Sequence, residues 1–323
     1  MNLLVGVVVV LAVTTFAVTA MLVVRRRAPE GSYFADGDRA AGVFGVLATG
    51  FAVILGFIIF LAFETYDAAR VGAESEALTV AQQVETAQYL PGETREELTG
   101  LLICYARSVV GTEWPAMDRG TLGDAFNPWG AQMFQTMRAY QPTTAAEESA
   151  YDRWMEQTGV REQARIDRVH GVEGVVPLPI WIGLFVIAAV IFVFMLFFAD
   201  RAERARTQAM LMGSVAVVIS LLLLLLVFFD NPHGDGVGRL EPVAMERSLR
   251  LMADAVEIAG IDLSVTWLPA DGVGGDCFDT LAFGDVLGVT VTNEEGRYTI
   301  VSVPTGPHVV RAQRIGFRCT TRP

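Results

Sequence analysis

The stretch AAGVFGVLATGFAVILGFIIFLAF, residues 40–63, continues without a break into ETYDAARVGAESEALTVAQQVETAQYL, residues 64–90. The first part carries no charged side chain. A helix rising about 1.5 Å per residue crosses the hydrocarbon core of a bilayer with about 20 apolar residues. The second part is polar but keeps Val71, Leu78, Val84, Ala87 and Leu90 at intervals that suit one helix face. No proline interrupts it before Pro91-Gly92. The reading is one helical rod that leaves the membrane and runs about 40 Å beyond it.

Three further runs have the same length and apolarity: Leu3–Val24, Leu178–Ala199 and Ala209–Phe229. In lipid the backbone satisfies its own hydrogen bonds, so all four read as helices. The fold class is therefore a mostly α, polytopic membrane protein with a short β-rich C-terminal tail. Residues 1–63 hold transmembrane helices 1 and 2, 64–177 a helical extramembrane bundle, and 178–229 transmembrane helices 3 and 4. A helix and irregular linker occupy 230–285, and a small β element 286–323.

Within the bundle, helices are expected over Glu93–Val110, ended by Trp114-Pro115, then over Leu122–Tyr140 and Ala145–Val169. His170–Pro179 reads as a re-entry loop. After the breaker Asp230-Asn231-Pro232-His233-Gly234, Pro242–Ala259 reads as a short amphipathic helix, on the membrane surface or on the bundle. The alternating segments 288–292, 297–301 and 308–312 read as strands.

The 323 residues are 52% hydrophobic with a net charge of −12, which argues against nucleic acid as a partner. All 24 basic residues are Arg. The first run is not a cleaved signal peptide, because its positive charge, Arg25-Arg26-Arg27, follows the apolar stretch. Arg is enriched in the two short links, 25–39 and 200–208, whereas residues 64–177 carry nine Arg against eighteen acids. By the positive-inside tendency the links face inward, and the termini, bundle and tail outward, in a cell inner membrane.

No catalytic, metal or cofactor motif is present: no GxSxG, HExxH, phosphate-cradling glycine loop or CxxC. Neither an enzyme nor a cofactor is expected. His170, His233 and His308 read as exposed loop residues, and the acids of the bundle as solvated helix faces. Cys104 reads as a small buried hydrophobe. Cys277 and Cys319 are a candidate disulfide if the tail faces an oxidising compartment.

The informative polar residues lie at the membrane edge. Glu64 and Asp67 follow Phe63 and share a helix face, with Phe57 and Phe60 upstream on about the same face. Apolar rings leading to a polar mouth are how constricted pores are built; an interfacial cap on an ordinary membrane helix is the simpler account. Gly42, Gly45, Ala48, Gly50, Ala52 and Gly56 permit close helix approach. The partner is either the other three helices, the simpler reading, or copies of the same helix around an axis.

Two helices, a long helical body and two more helices resemble the bestrophin channels. The residues that carry the likeness are Ile54–Phe63 with Glu64–Arg70, and Leu101–Arg107. The chain is more similar still to the bacterial bestrophin-like family, through Gln82–Leu90, Tyr105–Met117 and Phe229–Met252, over about residues 1–255. The resemblance implies a pentameric ion channel whose second helix lines the pore, with Phe57 and Phe60 in a hydrophobic neck. It also implies a cytoplasmic body, opposite to the charge count, and an Arg where this chain has Glu64. Val291–Arg318 resembles the closing half of a carboxypeptidase regulatory-like β-sandwich. The alternative function is a membrane-anchored sensor or scaffold whose bundle and tail bind a protein partner.

Overall fold

The computed structural model describes residues 3–121, 127–172, 174–233, 236 and 238–259, and the backbone of 310–312 and 320–322; side chains are described through residue 252. The described chain is mostly helical. The helices are α1 (Leu3–Arg25), α2 (Gly37–Ala87), α3 (Gly92–Ser108), a π turn (Val109–Glu113), α4 (Trp114–Asp118), α5 (Pro128–Ala139), α6 (Ala145–Val169), α7 (Leu178–Phe197), α8 (Ala205–Asp230) and α9 (Val243–Ala259). Helices α1, α2, α7 and α8 are long and apolar enough to cross a membrane. Two compact units result. One comprises Met1–Ala73, Ala116–Gly123 and Arg165–Glu241; the other comprises Glu74–Pro115, Asp124–Ala164 and the chain from Pro242 on.

In the first unit the apolar helices pack through small residues. On α8, Gly213 lies where a Cβ would stand 3.4 Å from Val18 Cγ2 and 3.8 Å from Thr14 Cγ2 of α1. Lipid tails are as apolar as leucine, so such close packing is what holds membrane helices together. Ala17, Met21, Met212 and Ala216 close this seam. A second cluster joins Phe51, Leu55 and Ala62 of α2 to Leu184, Ala188 and Ile191 of α7 and to Ile219 and Leu226 of α8.

The far end of the α7–α8 hairpin is closed by Asp230. Its Oδ1 accepts hydrogen bonds from the backbone N–H groups of Val175 and Val176, both at 2.7 Å. Gly174, at φ +87°, brings the backbone so near that its Cβ would sit 3.5 Å from Asp230 Oδ2. Only glycine adopts that conformation without strain.

In the second unit α3 lies against α5 and α9. The core holds Leu98, Leu101, Leu102, Tyr105, Val109, Trp114, Met133, Met137 and Trp154. A buried polar network runs through it. Tyr105 Oη donates to Glu76 Oε1 at 2.6 Å, and the Arg161 guanidinium stands 5.0 Å over the Tyr105 ring. Arg161 Nη1 donates to Gln83 Oε1 at 2.7 Å, and Gln83 Nε2 to Thr158 Oγ1 at 3.1 Å. Burial, reinforced by the Glu76 charge, raises the Tyr105 phenol well above its ordinary value, so it remains a donor.

Several expectations are corrected. Trp114-Pro115 does not end the α3 run; the chain passes through the π turn and restarts as α4, where proline in a first turn costs no hydrogen bond. The π turn carries Glu113, which is buried and accepts from Asn127 Nδ2 at 2.9 Å. Glu76 is also buried, so two of the bundle acids are core residues and not solvated ones. His233 is only 6% exposed, against the expectation of an exposed loop residue, while His170 is exposed. Cys104 is fully buried but disulfide-bonded.

Helix α9 packs on the bundle through Met245 and Met252, and Ser248 Oγ donates to Ala77 O at 2.8 Å. The described part of the tail has two paired three-residue strands, Val310–Ala312 and Thr320–Arg322. The likeness of the tail to half a β-sandwich finds no support. The expected strands at 288–292 and 297–301, together with His308, Cys277 and Cys319, lie outside the described residues.

Candidate functional site

Helix α2 has two unlike sides. Phe51, Leu55, Ala62 and Ala69 are buried, whereas Val46, Val53, Phe57 and Phe60 are 77%, 67%, 62% and 53% exposed. Seven residues make two turns, so Val46, Val53 and Phe60 form one row, and Gly50, Phe57 and Glu64 the row beside it. Gly42, Gly45, Gly50 and Gly56 each have nothing within 4 Å of an added Cβ. These four glycines therefore do not pack on the other three helices, as the simpler reading had it. Their stripe belongs to the open side.

The sequence-selected residues meet on that side. Phe57, Phe60 and Glu64 are exposed, and Asp67 is partly exposed and bound by Arg70 Nη2 at 3.0 Å. Glu64 has no ion pair among the described residues. The helix stays unbroken past them to Ala87.

Residues flanking this side in the same turns anchor α2. The Phe63 ring lies 5.3 Å from Phe229, and the Tyr66 ring 5.5 Å from Phe229. Tyr66 Oη donates to Gly238 O at 2.7 Å. Arg239 Nη1 donates to Phe228 O at 2.7 Å, and its guanidinium stands 4.7 Å over the Phe228 ring. With Phe63 and Tyr66 held, the rotation of α2 is fixed and Glu64 points away from the helix pack.

Sequence reasoning missed what lies beside this anchor. His233 is buried close to Arg168 and Arg239, and burial followed by these two charges pushes its pKa down to about 4. Arg168 is fully buried and its Nη1 approaches Met117 Sδ at 3.3 Å. No periodicity marks His233, which sits in a breaker motif. Among the described residues no group of His, Cys, Asp and Glu is arranged to hold a metal ion.

The Bestrophin-like domain family matches residues 8–245. The chain belongs to the Bestrophin-like family. Solved structures of a bacterial bestrophin homologue from Klebsiella pneumoniae, in two point-substituted forms, have the same fold. One has a TM-score of 0.54 at 13% identity, covering 76% of this chain and 99% of the other. The other has a TM-score of 0.54 at 13% identity, covering 74% and 98%. No curated protein matches the chain in sequence. With four apolar helices and this family, it is a multi-pass membrane protein.

Proposed function

We propose that this bestrophin-like protein is an oligomeric ion channel in which α2 of each copy lines the pore, five copies by resemblance to bestrophins. One observation carries the reading: the open side of α2 bears the glycine stripe, Phe57, Phe60 and Glu64 on one unbroken helix. Four glycines along this side allow copies to approach closely around a shared axis, and Glu64 stands where the side leaves the membrane. Phe57 and Phe60 form an apolar neck that gates by dewetting, and Glu64 with Asp67 forms a polar mouth. The Arg balance of the links supports inward links, with bundle and termini outside a cell inner membrane. No enzymatic reaction is proposed.

The test is the oligomeric state of the purified protein and its ion flux in liposomes, measured with native protein and with Phe57→Ala and Phe60→Ala. An oligomer whose flux changes with either substitution supports the channel. A monomer, or an oligomer that passes no ion in either orientation, removes it and leaves a membrane-anchored scaffold with a protein partner.

A further inference from the structure

The other face of the first unit presents a basic rim. Its two short links are held together: Arg25 donates to the carbonyl oxygens of Arg201, at 3.0 Å, and Glu203, Tyr33 N donates to Phe197 O at 3.1 Å, and Arg201 N to Pro29 O at 3.4 Å. Three of the five acids in these links accept from N–H groups, with Arg25 also acting on Asp200, while Glu30 is exposed. Asp200 Oδ1 accepts from Gly31 N at 3.1 Å and Ala202 N at 2.7 Å. Asp36 Oδ1 accepts from Arg39 N at 3.0 Å, and Glu203 Oε2 from Gln208 Nε2 at 3.0 Å. A fourth, Asp38, stands in the first turn of α2, where its charge meets the helix dipole.

The arginines are left over. Arg26, Arg27, Arg201, Arg204 and Arg206 are exposed, and none of them forms an ion pair among the described residues. Helix α8 begins between them. Its N-cap Arg204 makes no side-chain cap bond and its first turn holds no acid, so the N–H end of α8 adds to the positive field. Rings flank the same rim, with Phe34 4.8 Å from Phe198 and Tyr33 5.9 Å from Phe197. Of these, the amphipathic Tyr33 ring suits the headgroup level.

Topology alone accounts for arginines on one side of a membrane. It does not account for three of the five neighbouring acids being bound by amides, nor for a first turn of α8 without an acid among those arginines. The geometry points to a docking surface for anionic phospholipid headgroups, formed by Arg26, Arg27, Arg201, Arg204 and Arg206 with the start of α8. The partner's phosphate oxygens meet guanidinium and backbone N–H donors, and its acyl chains meet the apolar helices. Each basic residue near such a surface contributes about five-fold in affinity.

The experiment titrates the purified full chain in detergent with phosphatidylglycerol or phosphatidylcholine and follows thermal unfolding by tryptophan fluorescence. Phosphatidylglycerol is expected to raise the midpoint more than phosphatidylcholine, and less so in high salt. The combined Arg26→Gln, Arg27→Gln, Arg204→Gln and Arg206→Gln variant is expected to lose this preference. The corresponding Lys variant is expected to keep it, which separates charge from folding, and Arg138→Gln on α5 is expected to change nothing. Equal response to the two lipids, or a Gln variant that still prefers phosphatidylglycerol, overturns the proposal. So does inorganic phosphate alone giving the full stabilisation, since the surface would then take a free anion and not a lipid.

Discussion

Phe57 and Glu64 stand seven residues apart on the exposed side of α2, an apolar ring and a carboxylate in one row two turns apart. In the proposed pore an ion passing one meets the other next. The ring sets a barrier to water and the carboxylate sets the sign of the charge admitted.

Phe57→Ala and Phe60→Ala are expected to raise liposome flux. Removing a ring widens the dewetted segment, and a barrier lower by about 1 kcal/mol gives about five-fold more flux. Stopped-flow or electrical recording on matched protein amounts checks this, and unchanged flux in both variants would remove these residues from the neck.

Glu64→Gln is expected to shift the cation-to-anion permeability ratio toward anions by about five-fold, from about 1 kcal/mol for a unit charge in a hydrated setting. Asp67→Asn should act less, because Arg70 already binds Asp67 at 3.0 Å. Reversal potentials under a salt gradient measure both, and an Asp67 effect larger than that of Glu64 contradicts the assignment.

Asp230→Ala removes the acceptor of the Val175 and Val176 N–H groups. Leaving these part-buried donors unsatisfied costs about 1–3 kcal/mol, read as a lower unfolding midpoint in detergent. Tyr105→Phe is expected to cost a similar amount, because the buried Glu76 loses a donor at 2.6 Å. Gln83→Leu should also destabilise, since it takes an acceptor at 2.7 Å from the fully buried Arg161.

His233 supplies a pH dependence. Its folded pKa, about 4, lies below the ordinary value of 6.5. Between the two the unfolded chain binds a proton that the folded chain does not, so stability falls as pH drops from about 6.5 to about 4 and levels off below. His233→Asn should flatten that part of the curve by up to about 3 kcal/mol. The difference between the two proteins isolates His233 from the carboxylates that titrate in the same range.

The membrane helices were legible because twenty uncharged apolar residues admit one structure in lipid. The start of α6 at Ala145 was legible from apolar spacing, and local bonds fix it. Thr144 Oγ1 accepts from Glu147 N at 3.2 Å, and Glu147 Oε2 accepts from Thr143 N at 2.8 Å, bonds that with Tyr140 pull the Glu147 carboxyl down to about 2. The shared face of Phe57, Phe60 and Glu64 followed from helical spacing alone. Burial of Glu76, Glu113 and His233 was not legible, since no periodicity shows that Tyr105, Asn127 and the arginines close over them. The open side of the glycine stripe was equally hidden. Spacing identifies a smooth helix face but not which neighbour covers it.

The bonds from Val175 and Val176 to Asp230 also bear on how the chain is made. They fasten the entry of α7 to the exit of α8, two spans separated by a short turn. Emerging from the ribosome, this pair has its own clasp and needs no other helix to close it. It can enter the lipid as a single inserted unit, late in synthesis, beside the two spans already there.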